Sequence, residues 1–260
     1  MNRLALALAA GMAFSSAAQA KIVSEPMRYK HGDVTLQGHI VYDDSREGPR
    51  PGMLVFHEWW GLNDFVRDKA RELAEQGYVA LAVDMYGDGK NTAHPEEAQT
   101  WMQEVRSKQG MLEARAQVAL EALRAREEVD SARIGAIGFC FGGTSSLALA
   151  YTGADLAGIA SFHGGLIVPD EKQREQINTS ILILHGAQDA MIKQETIVDL
   201  QQALDEAEVD WHMVTFGGAK HGFTNPAADE AGLPALGYDP VAAKRSWHHM
   251  LQFFEQRFAE

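Results

Sequence analysis

The only cysteine of this 260-residue chain lies in a glycine-rich segment between an apolar stretch and a helix-forming stretch. Cys140 is the centre of the sequence GFCFGG at residues 138–143. A strand, a sharp turn and a helix in this order are typical of a nucleophile elbow, written here with cysteine in place of serine. The sharp turn requires small neighbours, which the glycines provide. The sequence therefore predicts that Cys140 is a nucleophile; the alternative is a small, buried, apolar side chain.

Two residues further along the chain could supply the acid and the base that a thiol nucleophile needs. Asp189 follows the apolar run 181–184, and His221 lies in a glycine-rich loop after the run 211–216. Nucleophile, acid and base in this order is the order found in α/β-hydrolases. His221 would take the thiol proton, and Asp189 would orient the imidazole. The alternatives are a turn-forming aspartate and a surface histidine.

Apolar runs that alternate with helical patterns would position these residues. An alternating segment at 34–40 predicts a half-buried antiparallel strand, and continuous runs at 53–56, 78–83, 133–139, 157–162, 181–184 and 211–216 predict strands covered on both faces. Helical patterns at 64–77, 95–107, 111–128, 197–204 and 247–258 separate them. The prediction is an α/β fold with a doubly wound, mainly parallel sheet and helices on both faces. Ligand sites in such sheets lie at the carboxyl ends of strands, where Cys140, Asp189 and His221 all fall, together with Glu58 after the run 53–56.

The same topology suggests the groups that would hold a developing oxyanion. One would be the backbone N–H of Phe141, the residue after the nucleophile, and the other the backbone N–H of Trp59 in the first strand-to-helix loop. The helix that begins behind Cys140 would favour a thiolate through its positive N-terminal end.

Several other functions are excluded by their missing motifs. The sequence HEWWG at 57–61 lacks the second histidine of a zinc protease, and adjacent His248 and His249 would point in different directions on a helix. Cys140 stands where a dinucleotide fingerprint needs glycine, and no phosphate-loop G-K-[ST] occurs. We expect no metal and no organic cofactor. The formal net charge of −13 argues against nucleic acid or an anionic membrane as the main partner.

The first twenty residues have the pattern of a secretory signal. Arg3 precedes an apolar segment at 4–14, and AQA at 18–20 has the form of a cleavage site. We therefore expect cleavage after Ala20, a secreted or periplasmic protein, and one domain over residues 21–260 that acts as a monomer on a small molecule.

The motifs together resemble the dienelactone hydrolase family over nearly the whole of residues 21–258. The segments that carry the resemblance are GFCFGG at 138–143, HEWWG at 57–61, DMY at 84–86, HGAQD at 185–189 and HGF at 221–223. The resemblance implies an α/β-hydrolase fold, hydrolysis of dienelactone (4-carboxymethylenebut-2-en-4-olide) to maleylacetate, and a triad of Cys140, Asp189 and His221. It also implies that Glu58 pairs with the resting thiol and helps to activate it. We expect three aromatic residues to line the substrate site: Trp60, Tyr86 and Phe223.

One departure bears on the substrate. Well-studied members bind the lactone carboxylate with arginines after the D-x-Y segment and four residues after the catalytic histidine. Here those places hold GDGK at 87–90 and Asn225. The reaction is therefore expected to be hydrolysis of a lactone or ester. The alternatives are a broad carboxylesterase for uncharged esters and an exported binding protein with no activity.

Overall fold

The computed structural model describes residues 21–259, and within them one eight-stranded sheet organises the chain. The strands are β1 (Ile22–His31), β2 (Val34–Asp43), β3 (Arg50–Phe56), β4 (Val79–Val83), β5 (Val129–Phe139), β6 (Gly158–Phe162), β7 (Ser180–Gly186) and β8 (Trp211–Phe216). Their spatial order is β1-β2-β4-β3-β5-β6-β7-β8. The segment interpreted as a secretory signal, residues 1–20, lies outside the described residues.

The first two strands form the antiparallel edge that the alternating pattern predicts. β1 and β2 pair from Ile22 opposite Asp43 to His31 opposite Val34, across a two-residue turn in which Gly32 has a φ of 57°. Leu36 and Ile40 face the core, whereas their polar neighbours are partly exposed. β3 to β8 are parallel to one another, and the residues of β4 and β6 are all buried.

Seven helices cover the two faces of the sheet over the described chain. They are α1 (Asp64–Glu75), α2 (Pro95–Ser107), α3 (Met111–Arg124), α4 (Phe141–Tyr151), α5 (Glu171–Arg174), α6 (Gln194–Glu206) and α7 (Pro240–Arg257). Helices α3, α4 and α6 pack into one apolar core, and α1 and α7 pack into a second core on the opposite face. The doubly wound prediction is therefore confirmed. Between Lys21 and Ala259, none of the helices has the length and apolarity needed to cross a bilayer.

The boundaries differ from the sequence-based prediction mainly around β5. Helix α3 ends at Arg124 rather than continuing to residue 128, because residues 125–128 form the turn that leads into β5. Val129 pairs with Arg50, and the pairing shifts register between Pro51 and Gly52 before the second half of the strand continues. Helix α5 and a 3₁₀ turn at Pro226–Ala231 were not predicted, since each is too short to show a hydrophobic period.

The central helix α4 is buried along its entire length. Each of its serine and threonine hydroxyls donates to a backbone carbonyl: Thr144 to that of Gly165, Ser145 to that of Phe141 and Ser146 to that of Gly143. A helix that is enclosed on all sides can carry polar side chains only when each has such a partner.

The contribution of the second core can be measured on helix α7. Phe254 is fully buried and packs against Phe253 and Phe258, whereas Val241 on the same helix is 55% exposed. We expect Phe254→Ala to lower the free energy of unfolding by about 3–5 kcal/mol in urea denaturation, because it leaves a cavity. Val241→Ala, the control, should change it by no more than about 0.5 kcal/mol. Equal effects of the two substitutions would contradict this assignment of the core.

Candidate active site

The residues singled out from the sequence lie in loops that leave the carboxyl edge of the parallel strands. Glu58 follows β3, Cys140 follows β5, Asp189 follows β7 and His221 follows β8. Because these strands are parallel and in one sheet, their carboxyl ends open onto the same edge. The order β3-β5-β6-β7-β8 thus brings together groups that are far apart in the chain.

Cys140 occupies a strained turn between β5 and α4. Its backbone has φ 53° and ψ −115°, a conformation that non-glycine residues rarely adopt, and its N–H donates to the Phe162 carbonyl at 3.0 Å. Such a conformation costs on the order of 1–3 kcal/mol and persists only where the surroundings enforce it. A methyl group on Gly138 would collide with the Gly142 carbonyl, and one on Gly142 would collide with the carbonyl of Phe56. The elbow therefore needs glycine at both positions, as the sequence predicts.

His221 and Asp189 form a buried, directly hydrogen-bonded pair. Nδ1 of His221 lies 2.8 Å from Oδ2 of Asp189, and both side chains are almost completely buried. The other carboxylate oxygen of Asp189 accepts the backbone N–H of Met191 at 2.9 Å, which holds the carboxylate in the turn after β7. With Nδ1 engaged by the carboxylate, the free ring nitrogen is Nε2. That atom is buried and has no hydrogen-bond partner of regular geometry among the described residues.

The charges around His221 favour its protonated form. Burial lowers the pKa of the imidazole, but the neighbouring Cys140 and the hydrogen bond to Asp189 outweigh burial and raise that pKa to about 10. The side chain of Cys140 therefore lies close enough to His221 to influence the charge of the imidazole.

Glu58 is buried beside this pair and is held by Asn225. The side-chain amide of Asn225 donates to Oε2 of Glu58 at 2.5 Å. Burial raises the pKa of Glu58 to about 7, and the Asn225 hydrogen bond and the His221 charge oppose that rise. The resemblance implied that Glu58 pairs with the resting thiol. In the described residues its carboxylate instead bonds to Asn225 and makes no hydrogen bond to Cys140.

The loop that carries Glu58 is pinned on both sides. His57 donates from Nδ1 to the Glu58 carbonyl at 2.5 Å, while its Nε2 accepts the Met85 N–H at 3.2 Å. This arrangement requires a neutral ring, in keeping with burial, which lowers the pKa of His57. Tyr86 donates its hydroxyl to the Trp59 carbonyl at 2.9 Å, so the loop after β4 holds the loop after β3 in place.

The other predicted site residues fall into two groups. Phe141 is the first residue of α4, where a helix leaves its backbone N–H without an internal partner. In the loop after β3, the ring of Trp59 lies against that of Trp60 at 4.7 Å between centroids, with the planes tilted by 58°. Trp60 and Asn225 line a cleft of about 240 Å³ together with Asn63, Thr92, Ala93, Ala227, Glu230 and Ala231. The oxyanion role of Phe141 and Trp59 stays a prediction.

The structure corrects the prediction for Phe223. Its ring is fully buried and packs against Phe216 and His163, so it belongs to the core and does not line a substrate site. The phenylalanine of the HGF motif thus serves packing, since the loop after β8 places its ring against residues at the ends of β6 and β8. Tyr86 is also largely buried, between His57 and Phe141, with 6% of its surface exposed.

Two residues of the site were not assigned a role from sequence. His163, with a φ of 38°, bonds through Nε2 to the Thr224 hydroxyl at 2.7 Å and packs its ring against His221 at 5.3 Å between centroids. Asn225, noted from sequence only as the absence of an arginine, is the partner of Glu58. No local pattern distinguishes either residue, since each contact depends on loops that are distant in sequence. Among the described residues, no group of three or more histidine, cysteine or acidic side chains is placed to hold a metal ion.

The chain also matches a known protein family. The model of the dienelactone hydrolase family matches residues 36–258, most of the chain. The chain belongs to the dienelactone hydrolase family. It is accordingly a hydrolase with the α/β-hydrolase fold, which confirms the resemblance drawn from the motifs.

Proteins that are similar to this chain are matched over most of their own length. A crystal structure of a dienelactone hydrolase-like promiscuous phosphotriesterase from metagenomic libraries is 39% identical, has a TM-score of 0.89, and is matched over 92% of this chain and 99% of that one. A protein of Escherichia coli K12 with the provisional name carboxymethylenebutenolidase is 30% identical over 81% of this chain and 78% of its own length. Protein usf of Aquifex pyrophilus is 24% identical over 90% of this chain and 99% of its own length.

The pairing of acid and base in this dienelactone hydrolase family member can be tested by titration. Asp189→Asn removes the carboxylate charge while it preserves the shape of the side chain, so we expect the pKa of His221 to fall by about one unit or more. The sign follows from the raised pKa, since losing an anionic partner favours the neutral imidazole. The measurement is an NMR titration of the histidine rings.

The matched control is Asp205→Asn, which removes a carboxylate that accepts the indole N–H of Trp211 away from this edge of the sheet. It should leave the titration of His221 unchanged. If Asp189→Asn also left it unchanged, the carboxylate would not be the group that supports the protonated imidazole.

Proposed function

We propose that the protein hydrolyses a lactone or a carboxylic ester, with Cys140 as nucleophile, His221 as base and Asp189 as the residue that orients it. The single observation that carries the proposal is the buried His221–Asp189 hydrogen bond at the sheet edge where the strained elbow presents the only cysteine. Strain at a turn, a perturbed imidazole and a nucleophile at one edge are features of a catalytic site rather than of a packing cluster.

The first half of the reaction would form a thioester. The Cys140 thiolate attacks the carbonyl carbon of the substrate, and the π electrons move to the carbonyl oxygen. The backbone N–H groups of Phe141 and Trp59 would donate hydrogen bonds to that oxyanion. When the tetrahedral intermediate collapses, the bond to the leaving oxygen breaks, and protonated His221 gives its proton to the alcohol. For a lactone, the alcohol stays attached to the acyl group.

The second half would release the acid. His221, now neutral, takes a proton from water as the water attacks the thioester carbonyl. Collapse of the second intermediate breaks the carbon–sulfur bond, frees the carboxylic acid and returns the thiolate and the protonated imidazole. Asp189 stabilises the positive ring in both halves without itself taking a proton.

The cleft that Trp60 and Asn225 line favours an uncharged group in the substrate. Glu230 is the one charged residue that lines the cleft beside Trp60, and the place four residues after His221 holds the amide of Asn225. An anionic substrate would find no cationic side chain in that lining. We therefore propose a neutral ester or lactone in preference to the carboxylate-bearing dienelactone, with Trp60 as a wall of the site.

Phosphotriester hydrolysis is a second candidate reaction. The similar protein that is 39% identical is described as a promiscuous phosphotriesterase. A phosphotriester is uncharged, and its phosphoryl oxygen gains negative charge during attack, as an ester carbonyl does. The same thiolate and N–H donors could serve it.

The reaction is tested with a panel of neutral esters, lactones and a phosphotriester. We expect wild-type turnover of at least one ester or lactone and a loss of roughly 10³-fold or more in kcat/KM for Cys140→Ala. An alkylating reagent should inactivate wild type with one label per chain, because Cys140 is its sole cysteine. Cys140→Ser is the matched control for shape, since it keeps a hydroxyl in place of the thiol.

Three outcomes separate the alternatives. Full activity in Cys140→Ala would rule out the thiol mechanism. Turnover of the phosphotriester alone would favour the second reaction. No turnover of any panel member would favour a binding protein with the same fold.

A further inference from the structure

Asn225 uses both ends of its side chain. Its Oδ1 accepts the backbone N–H of Ala227 at 2.9 Å and so caps the 3₁₀ turn Pro226–Ala231, which it precedes. The turn needs an oxygen at that position, so the NH₂ group must face the other way. There it donates to Oε2 of Glu58 at 2.5 Å. Asn225 is 5% exposed, and the amide therefore has one available orientation.

The hydrogen bond ties together two loops that are 167 residues apart in the chain. One is the loop after β3, which carries Glu58 and the proposed oxyanion donor Trp59. The other is the loop after β8, which carries His221. Glu58 itself is 5% exposed, so its carboxylate depends on this donor for a partner that water would otherwise supply.

We propose that Asn225 is a positioning residue, which fixes the Glu58 carboxylate beside the proposed base His221. Its side-chain NH₂ group holds the carboxylate, while its Oδ1 caps the 3₁₀ turn in the loop after β8. The proposal rests on the proposed function, because the purpose of a fixed carboxylate is to receive or release a proton near the thiol. An amide is suited to this task, since it donates to the carboxylate without bringing a charge of its own. An arginine there would hold the carboxylate permanently ionised, and an aspartate would repel it.

The other titratable groups around Glu58 come from three elements. His221 on the loop after β8 lowers the pKa of Glu58 through its positive charge, and Cys140 stands on the elbow that packs against the Glu58 loop. His57, on the same loop as Glu58, is kept neutral by burial. With those groups unchanged, the pKa of the Glu58 carboxyl should depend directly on which residue stands at position 225.

The test compares two substitutions that add the same charge to the same cleft. Asn225→Asp keeps the oxygen that caps the turn but replaces the donor with a second carboxylate. Asn63→Asp is the control, because Asn63 also lines the cleft and also caps a helix through its Oδ1, here α1, without bonding to Glu58. Aspartate caps a helix as well as asparagine does, so both variants should fold.

The first readout is a carbon-13 NMR titration of the glutamate carboxyls in the full chain, with Glu58 assigned through Glu58→Gln. We expect a wild-type midpoint of about 7, in line with the raised pKa of Glu58. Asn225→Asp should move the midpoint upward by about one unit or more, because a neighbouring anion disfavours ionisation. Asn63→Asp should move it by less than about 0.3 unit, because the half-buried side chain at residue 63 does not bond to Glu58 and its charge is screened by solvent. Equal midpoints in wild type and Asn225→Asp, or equal shifts in both variants, would overturn the proposal.

The second readout is the pH profile of kcat/KM on an ester that wild type hydrolyses. Because the proposed role of the carboxylate is to receive a proton near the thiol, its ionised form should be the active one, and activity should fall as the pH drops through the pKa of Glu58. The acid limb should therefore move upward in Asn225→Asp by the same amount as the NMR midpoint. If the acid limb stayed in place while the NMR midpoint moved, the Asn225–Glu58 hydrogen bond would have no part in catalysis, and the proposal would be wrong. Absence of turnover by wild type would instead reject the proposed function, and the titration alone would then decide whether Asn225 controls Glu58.

Discussion

The site depends on one backbone constraint, the enforced positive φ of Cys140. A left-handed residue between a strand and a helix must be held from all sides, and here α4 is completely buried while its first turn packs against the carbonyls at the end of β3. The close approach of Gly142 to those carbonyls leaves no room for a side chain. The constraint thus exposes the thiol at the sheet edge and brings the start of α4 against the Glu58 loop.

Two hydrogen bonds extend that constraint to the rest of the edge. The His221–Asp189 bond joins the loops after β7 and β8, and the Asn225–Glu58 bond joins the loops after β3 and β8. The loop after β8 therefore takes part in both. A displacement of this loop would disturb His221 and the buried Glu58 carboxylate together, so we expect the geometry of these proposed proton-transfer groups to be cooperative rather than the sum of independent contacts.

Much of the fold could be predicted from sequence because its signals are local. Continuous apolar runs predict the parallel strands, and the glycines at 138 and 142 predict the turn at Cys140. The end of α3 could not be predicted, since residues 125–128 form a turn into β5, and the pairing of β5 with β3 joins segments distant in sequence. The prediction for Phe223 is wrong for a similar reason: an aromatic residue beside His221 can face either the substrate or the core, and only the path of the loop decides.

The reaction and the substrate are encoded in physically different ways. The reaction depends on a turn, a buried pair and strand order, which tolerate few residue types and can be recognised in one chain. The substrate depends on side chains at loop surfaces, where one residue can change the chemistry while the fold is retained. Asn225 is such a residue. An arginine at that position would offer a cation to an anionic ligand, whereas the side-chain amide of Asn225 already donates to Glu58 and caps the 3₁₀ turn. The cleft beside it is thereby left without positive charge in its lining. Under the proposed function, this lining favours a neutral substrate over one that carries a carboxylate.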